Sequence, residues 1–185
     1  MMSPRFERMV YLMRKKMTLF LALLLTFCAF YAYADQTRTV TPGVFRLGTS
    51  VYTVILPDGF VEEELTEEDR EGDMVAYLHC DTIPLDFDVY QFSKEGFPED
   101  LSEYTRLEAV TYGAFEIAAG EKINGIDVGW YRARESFEGQ EYLTLCFLLD
   151  DGDRYVEISF WIRGDSSEEA AQAIMNTLTF VQREE

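Results

Sequence analysis

From residue 114 to residue 162 the chain is four apolar β-type runs with almost nothing between them. "AFEIAAGEKI", "IDVGWYRARE", "EYLTLCFLL" and "RYVEISFWI" are joined by Asn124-Gly125, by residues 137–140 ("FEGQ") and by Asp150-Asp151-Gly152-Asp153. Connectors this short, each holding a glycine, reverse the chain as hairpins and cannot carry the crossover a parallel pair needs. In the last two runs Leu143, Leu145 and Phe147 alternate with Tyr142, Cys146 and Leu148, while Val156, Ile158, Phe160 and Ile162 alternate with Tyr155 and Trp161. Both alternating sets are apolar. An antiparallel sheet with one wet face would alternate apolar with polar, so this one is expected to be covered on both sides.

The rest of the chain supplies candidate covers. Strand patterns come first, "GVFRLG" and "SVYTVILP", the second ended by the turn chemistry of Pro57-Asp58-Gly59. "VEEELTEEDREGD" reads as a solvated loop or a frayed helical turn. "MVAYLHC" and "LDFDVYQFSK" read as a hairpin through "DTIP", with Leu85, Phe87 and Val89 facing one way and Asp86, Asp88, Tyr90 and Phe92 the other. Asp100 and Glu103 stand at capping-box spacing before a helix that Gly113 stops. Ser166 and Glu169 repeat that spacing before a closing helix, about Ser167 to Thr179, with Ala170, Ala171, Ile174, Met175 and Leu178 as its apolar stripe. The expected fold class is α+β: a central antiparallel sheet of about six to seven strands sandwiched between helices.

The first 34 residues read as a signal peptide and are excluded from the fold. Arg5, Arg8, Arg14, Lys15 and Lys16 precede an uncharged apolar run, Met17 to Tyr33, which exits through Ala32-Tyr33-Ala34. Basic start, apolar run and small-x-small exit are the export pattern, with cleavage expected between Ala34 and Asp35. The run is short for a membrane span, so a retained anchor is the second choice. A lipoprotein fits poorly, because the bulky Phe27 precedes Cys28. The remaining residues, 35–185, read as one domain, secreted or held in the cell envelope, with no stable membrane association after cleavage.

Charge then excludes whole classes of partner. The leader holds five of the 16 basic residues and one of the 34 acidic ones, leaving 11 against 33 and a net charge of −22. Such a chain repels nucleic acid and anionic lipid, which removes both as partners. A protein partner or a small cationic ligand suits it better.

Motifs for chemistry are sparse. The single histidine, His79, neighbours Cys80 and Asp81, but adjacent residues of a strand point to opposite faces, so they do not make a metal site. Asp150-Asp151-Gly152-Asp153 places its glycine third, not sixth as a calcium loop requires, and reads as a turn. No nucleophile elbow, phosphate loop or dinucleotide fingerprint occurs, and no cofactor is called for. Asp86 and Asp88 share a strand face and are the carboxylate pair a hydrolase would use. The aromatics Tyr90, Phe92, Trp130, Tyr131 and Trp161 are the candidate lining of a binding groove, against which stands ordinary core packing. Cys80 and Cys146 are read as two buried thiols more readily than as a disulfide.

One resemblance spans nearly all of residues 35–185. "YTVILPDGF", "LDFDVYQF", "EAVTYGA", "INGIDVGWYRA" and "YVEISFWIRG" before a final helix resemble, in pattern and element order, the α/β/α sandwich superfamily of the photosystem II PsbP proteins, Mog1 and the bacterial DcrB and LpqN lipoproteins. That likeness implies an exported binding or accessory subunit rather than an enzyme. It carries no catalytic motif with it. The expectation is therefore a non-enzymatic, acidic binding domain outside the cytoplasmic membrane; the alternative is an extracytoplasmic hydrolase built on Asp86 and Asp88.

Overall fold

The computed structural model describes residues 38–39, 43–80, 82–137 and 140–181, so the expected signal peptide and its Ala34–Asp35 junction lie outside it. In chain order the elements are β1 (Arg38–Thr39), β2 (Gly43–Arg46), β3 (Tyr52–Leu56), β4 (Phe60–Glu62), helix α1 (Glu67–Glu71), β5 (Met74–Cys80), β6 (Leu85–Ser93) and helix α2 (Leu101–Thr111). Then follow β7 (Glu116–Ile123), β8 (Ile126–Phe137), β9 (Gln140–Asp150), β10 (Arg154–Ile162), helix α3 (Asp165–Met175) and β11 (Thr179–Phe180).

Eight strands form one antiparallel sheet in the order β1-β4-β5-β6-β10-β9-β8-β7. The β7–β10 meander is built as the turn chemistry requires. Asn124 and Gly125 both adopt positive φ, 52° and 84°, the pair of left-handed residues that lets a two-residue hairpin follow the sheet's twist. The chain reaches the far edge by crossing over with α2, then steps back strand by strand until β10 pairs with β6. The α+β class is as expected, but the strand count is not. The first hairpin, β2–β3, leaves the large sheet and pairs with β11 to make a separate three-stranded sheet.

The expected helical sandwich is corrected accordingly. On one face of the large sheet α2 packs over Tyr131, Ala133, Cys146, Leu148 and Tyr155. The opposite face is covered by the small sheet together with α3: Tyr52, Val54 and Leu56 meet Phe87, Val89, Val156, Ile158 and Phe160, with Ala171, Ile174, Met175 and Leu178 closing the layer. Phe87 sits at its centre, 5.2 Å from Phe160 and 5.5 Å from Phe60 between ring centroids. Each such side chain, fully buried, contributes about 1.5–3 kcal/mol.

Helix starts differ in what anchors them. Asp100 accepts the Glu103 backbone N–H at 2.9 Å, as its spacing predicts. The acidic segment 61–73, read as a solvated loop or a frayed helical turn, begins with the end of β4 and forms the short helix α1, which carries a reciprocal capping box, Thr66 with Asp69. At α3 the expected box of Ser166 and Glu169 does not form. The helix starts earlier, after Gly164, and no side chain caps it. Ser167 instead donates to the Pro84 carbonyl at 2.9 Å, tying α3 to the β5–β6 turn.

Candidate functional site

Apart from Trp130, the candidate acidic and aromatic residues of β6, β8 and β10 fall on the α2 side of the large sheet, where period-two alternation puts them. Register pairs Asp86 with Trp161, Asp88 with Ser159, Tyr90 with Glu157 and Phe92 with Tyr155. On the other side of β6, Tyr77 stands opposite Asp88 and His79 opposite Asp86. The strip Asp86–Asp88–Trp161–Tyr77–His79 is therefore a contiguous acid and aromatic surface.

Its polar groups are tied to one another. Trp161 Nε1 donates to Asp88 Oδ2 at 3.0 Å, and Arg163 forms an ion pair with Asp86. His79 Nδ1 lies 3.1 Å from Glu63 Oε1, and Ser159 donates to Glu157 at 3.3 Å. Asp86, Asp88, Glu157 and Ser159 are all buried. The Tyr77 hydroxyl is pushed up to about 12, first by burial and then by the Asp88 charge, with Arg163 opposing. Tyr131 is also raised, by burial and then by Cys146, Glu157, Tyr112 and Glu108. Both phenols thus remain protonated donors across the physiological range. Asp86 and Asp88 are alternate residues of one strand, about 7 Å apart along it, which is within reach of the spacing for inverting glycosidases. Yet each holds a donor from β10 or the residue just after it. The two carboxylates are thereby tied into one polar network with β10.

The five aromatics do not form one groove. Tyr90 is buried against Met74, with Leu65, Tyr77 and Phe92 packed on them. Phe92 packs on Phe97, Tyr104 and Tyr155. Tyr131 is buried and stacked on Tyr112 at 5.8 Å. Trp130 is on the opposite face, its Nε1 donating to Glu121 at 2.8 Å and its ring beneath Arg132. Trp161 is partly exposed in the acid strip, as are Tyr77 and His79. Pattern alone made these five equivalent. Their register with neighbouring strands separates them.

Cys80 and Cys146 are buried and not joined in a disulfide, on opposite faces of the sheet, one in each core. His79 and Cys80 also face opposite ways, and Asp81 lies outside the described residues. The Asp150 carboxylate of the β9–β10 turn is occupied. Asp150 Oδ1 accepts from Lys94 Nζ at 2.6 Å and from the Gly152 N–H at 2.9 Å, and Asp151 N donates to the Arg154 carbonyl. Gly152 takes φ of 80°, the left-handed bend that closes the turn.

Two depressions lie away from the acid strip. One, about 530 Å³, opens between Lys94–Glu99 and the turn at Gly152–Asp153. The other, about 310 Å³, is lined by Leu65, Arg70, Asp73, Met74, Val75 and Gln91. None of these lining residues was singled out by sequence, because they converge from a loop, a short helix and two strands.

Comparison with known proteins gives a fold. No family model matches the chain, and none of the curated proteins matches it. Among solved structures, a 1.50 Å crystal structure of a protein from Bacteroides thetaiotaomicron VPI-5482 is similar, with a TM-score of 0.54 at 16% identity over 78% of this chain. The chain spans 50% of that protein's length, and at this identity the likeness is one of fold.

Proposed function

We propose that this chain is an exported, acidic binding or accessory domain that works outside the cytoplasmic membrane by docking a protein partner, not by catalysis. One observation carries the reading: an apolar surface left uncovered where the end of α2 meets the edge strand β7. Val110 is 81% exposed, Phe115 55% and Ile117 44%, with Leu107 one turn earlier on the helix. The Ala114 N–H bonds back to the Ala109 carbonyl, and Phe115 N–H bonds to Arg132, which gathers these residues at one place. Contiguous exposed apolar side chains of this kind mark interaction surfaces.

Beside them β7 presents a backbone edge with no strand partner among the described residues. Its second half is blunted by a bulge at Gly120 and by Glu121 and Lys122, while its first half stays accessible. The resemblance to the PsbP/Mog1 superfamily, whose members serve mostly as accessory subunits, supports the same reading. So does the net charge of −18, or −22 once the expected leader is removed, which favours a basic partner. The hydrolase alternative is weakened because Asp86 and Asp88 are committed to Arg163 and Trp161.

A photo-crosslinking residue in place of Phe115 tests this in cells that export the protein. It should capture a defined partner that the same label at exposed Asp58 does not, and Val110→Glu should abolish the capture. Hydrolysis of a glycoside substrate that disappears in Asp88→Asn would overturn the proposal.

A further inference from the structure

The smaller depression carries an inference of its own, at the other end of the sheet from β7. Three polar residues meet there through backbone bonds. Asp73 N–H donates to the Arg70 carbonyl at 3.1 Å, and Gln91 N–H donates to the Asp73 carbonyl at 3.0 Å. Asp73 takes φ of 69°, the left-handed stop that turns the chain out of α1 and into β5.

Their side chains supply a matched set. Gln91 is only 8% exposed, and its Oε1 is already used, accepting from Thr49 N–H at 3.2 Å and Thr49 Oγ1 at 2.8 Å. That fixes the amide so that Nε2 is the remaining donor, and this buried atom has no acceptor among the described residues. Buried donors are almost always satisfied. Arg70 is the one basic residue among the eight acids of segment 61–73, yet among the described residues its guanidinium makes no ion pair. Two donors without acceptors and one exposed carboxylate, Asp73, thus surround a cavity walled by Leu65, Met74 and Val75.

We infer that this cavity binds the zwitterion of a free α-amino acid with an apolar side chain. Arg70 and Gln91 would take the carboxylate, Asp73 the ammonium group, and Leu65, Met74 and Val75 the side chain. A bare carboxylate ligand is opposed by the surrounding field of a strongly acidic chain, and a simple cation leaves both donors unanswered. A zwitterion carries no net charge for that field to repel. The volume, about 310 Å³, lies at the small end of ligand cavities, as one amino acid requires.

The test is a backbone-amide NMR titration of the purified chain with L-methionine and L-leucine. Amides of residues 65–75 and 91 should shift. N-acetyl-L-methionine and L-methioninamide, each lacking one charge, should bind about tenfold or more weakly, since each loses a charge-assisted pair. Arg70→Ala and Asp73→Asn, both at exposed positions, should weaken L-methionine similarly while leaving distant amides in place. No shifts with either amino acid, or equal binding of the blocked analogues, would overturn the inference. Failure of the Phe115 crosslink would leave this titration untouched, so the two readings fall separately.

Discussion

A β-carbon built on Gly129 would come within 1.9 Å of the Thr105 hydroxyl oxygen: strand β8 and helix α2 touch there with no room for a methyl group. Thr105 is locked in turn, its hydroxyl donating to the Leu101 carbonyl at 2.6 Å. Gly129→Ala should therefore destabilise the fold by about 1–3 kcal/mol, the usual cost of overpacking. Chemical denaturation measures it. Adding Thr105→Ala removes the nearest atom but leaves the threonine β-carbon position, 2.9 Å away, so recovery should be partial. An unchanged midpoint for Gly129→Ala would contradict this contact.

The two expected capping boxes should respond differently to mutation. Asp100→Ala removes the acceptor of the Glu103 N–H and should cost about 1 kcal/mol. Ser166→Ala should be near neutral, because that side chain is exposed and caps nothing in α3. Thermal unfolding of the two variants side by side separates them.

Alkaline pH should destabilise the protein before its lysines and arginines titrate fully. The Tyr77 and Tyr52 hydroxyls are both pushed up to about 12 from the ordinary 10, burial being the main cause in each. Between those values the folded chain keeps protons that the unfolded chain releases, so stability is complete below about pH 10 and declines as pH rises through 12. Tyr77→Phe should reduce that slope. Denaturation midpoints from neutral to alkaline pH, with tyrosinate absorbance followed in parallel, provide the check. A flat profile across that window would count against buried, protonated phenols.

Reductant should leave the melting temperature unchanged, because Cys80 and Cys146 lie on opposite faces and form no disulfide. An alkylating label followed by peptide mapping should modify neither residue until denaturant is added. Labelling of Cys80 under native conditions would show that its core opens locally.

How far these relationships were legible depends on how local their causes are. The β7–β10 meander could be read directly, since the φ preferences of Asn124, Gly125 and Gly152 and the alternation of neighbouring residues act within a few positions. Two-sided coverage was equally readable from the apolar runs of β9 and β10, and the Asp100 cap from a three-residue spacing. The candidate site was much less so. Asp86 and Asp88 were visible as a pair on one face, but their engagement by Arg163 and Trp161 depends on β10 returning to β6.

By itself the sequence determined the α+β class, the hairpins, the hydrophobic faces and the extreme acidity, because propensity, alternation and charge are properties of residues and near neighbours. Tertiary structure alone decided that β3 would pair with β11, bringing Thr53 to Thr179, and so leave the central sheet. It decided that Tyr90 and Tyr131 would be core while Val110 and Phe115 stayed exposed, and that Arg70, Asp73 and Gln91 would converge. The physical reason is one of range. A strand's pattern states which face wants burial, but the same pattern is satisfied by any apolar layer. Which layer covers it is settled only by competition among segments far apart in the chain.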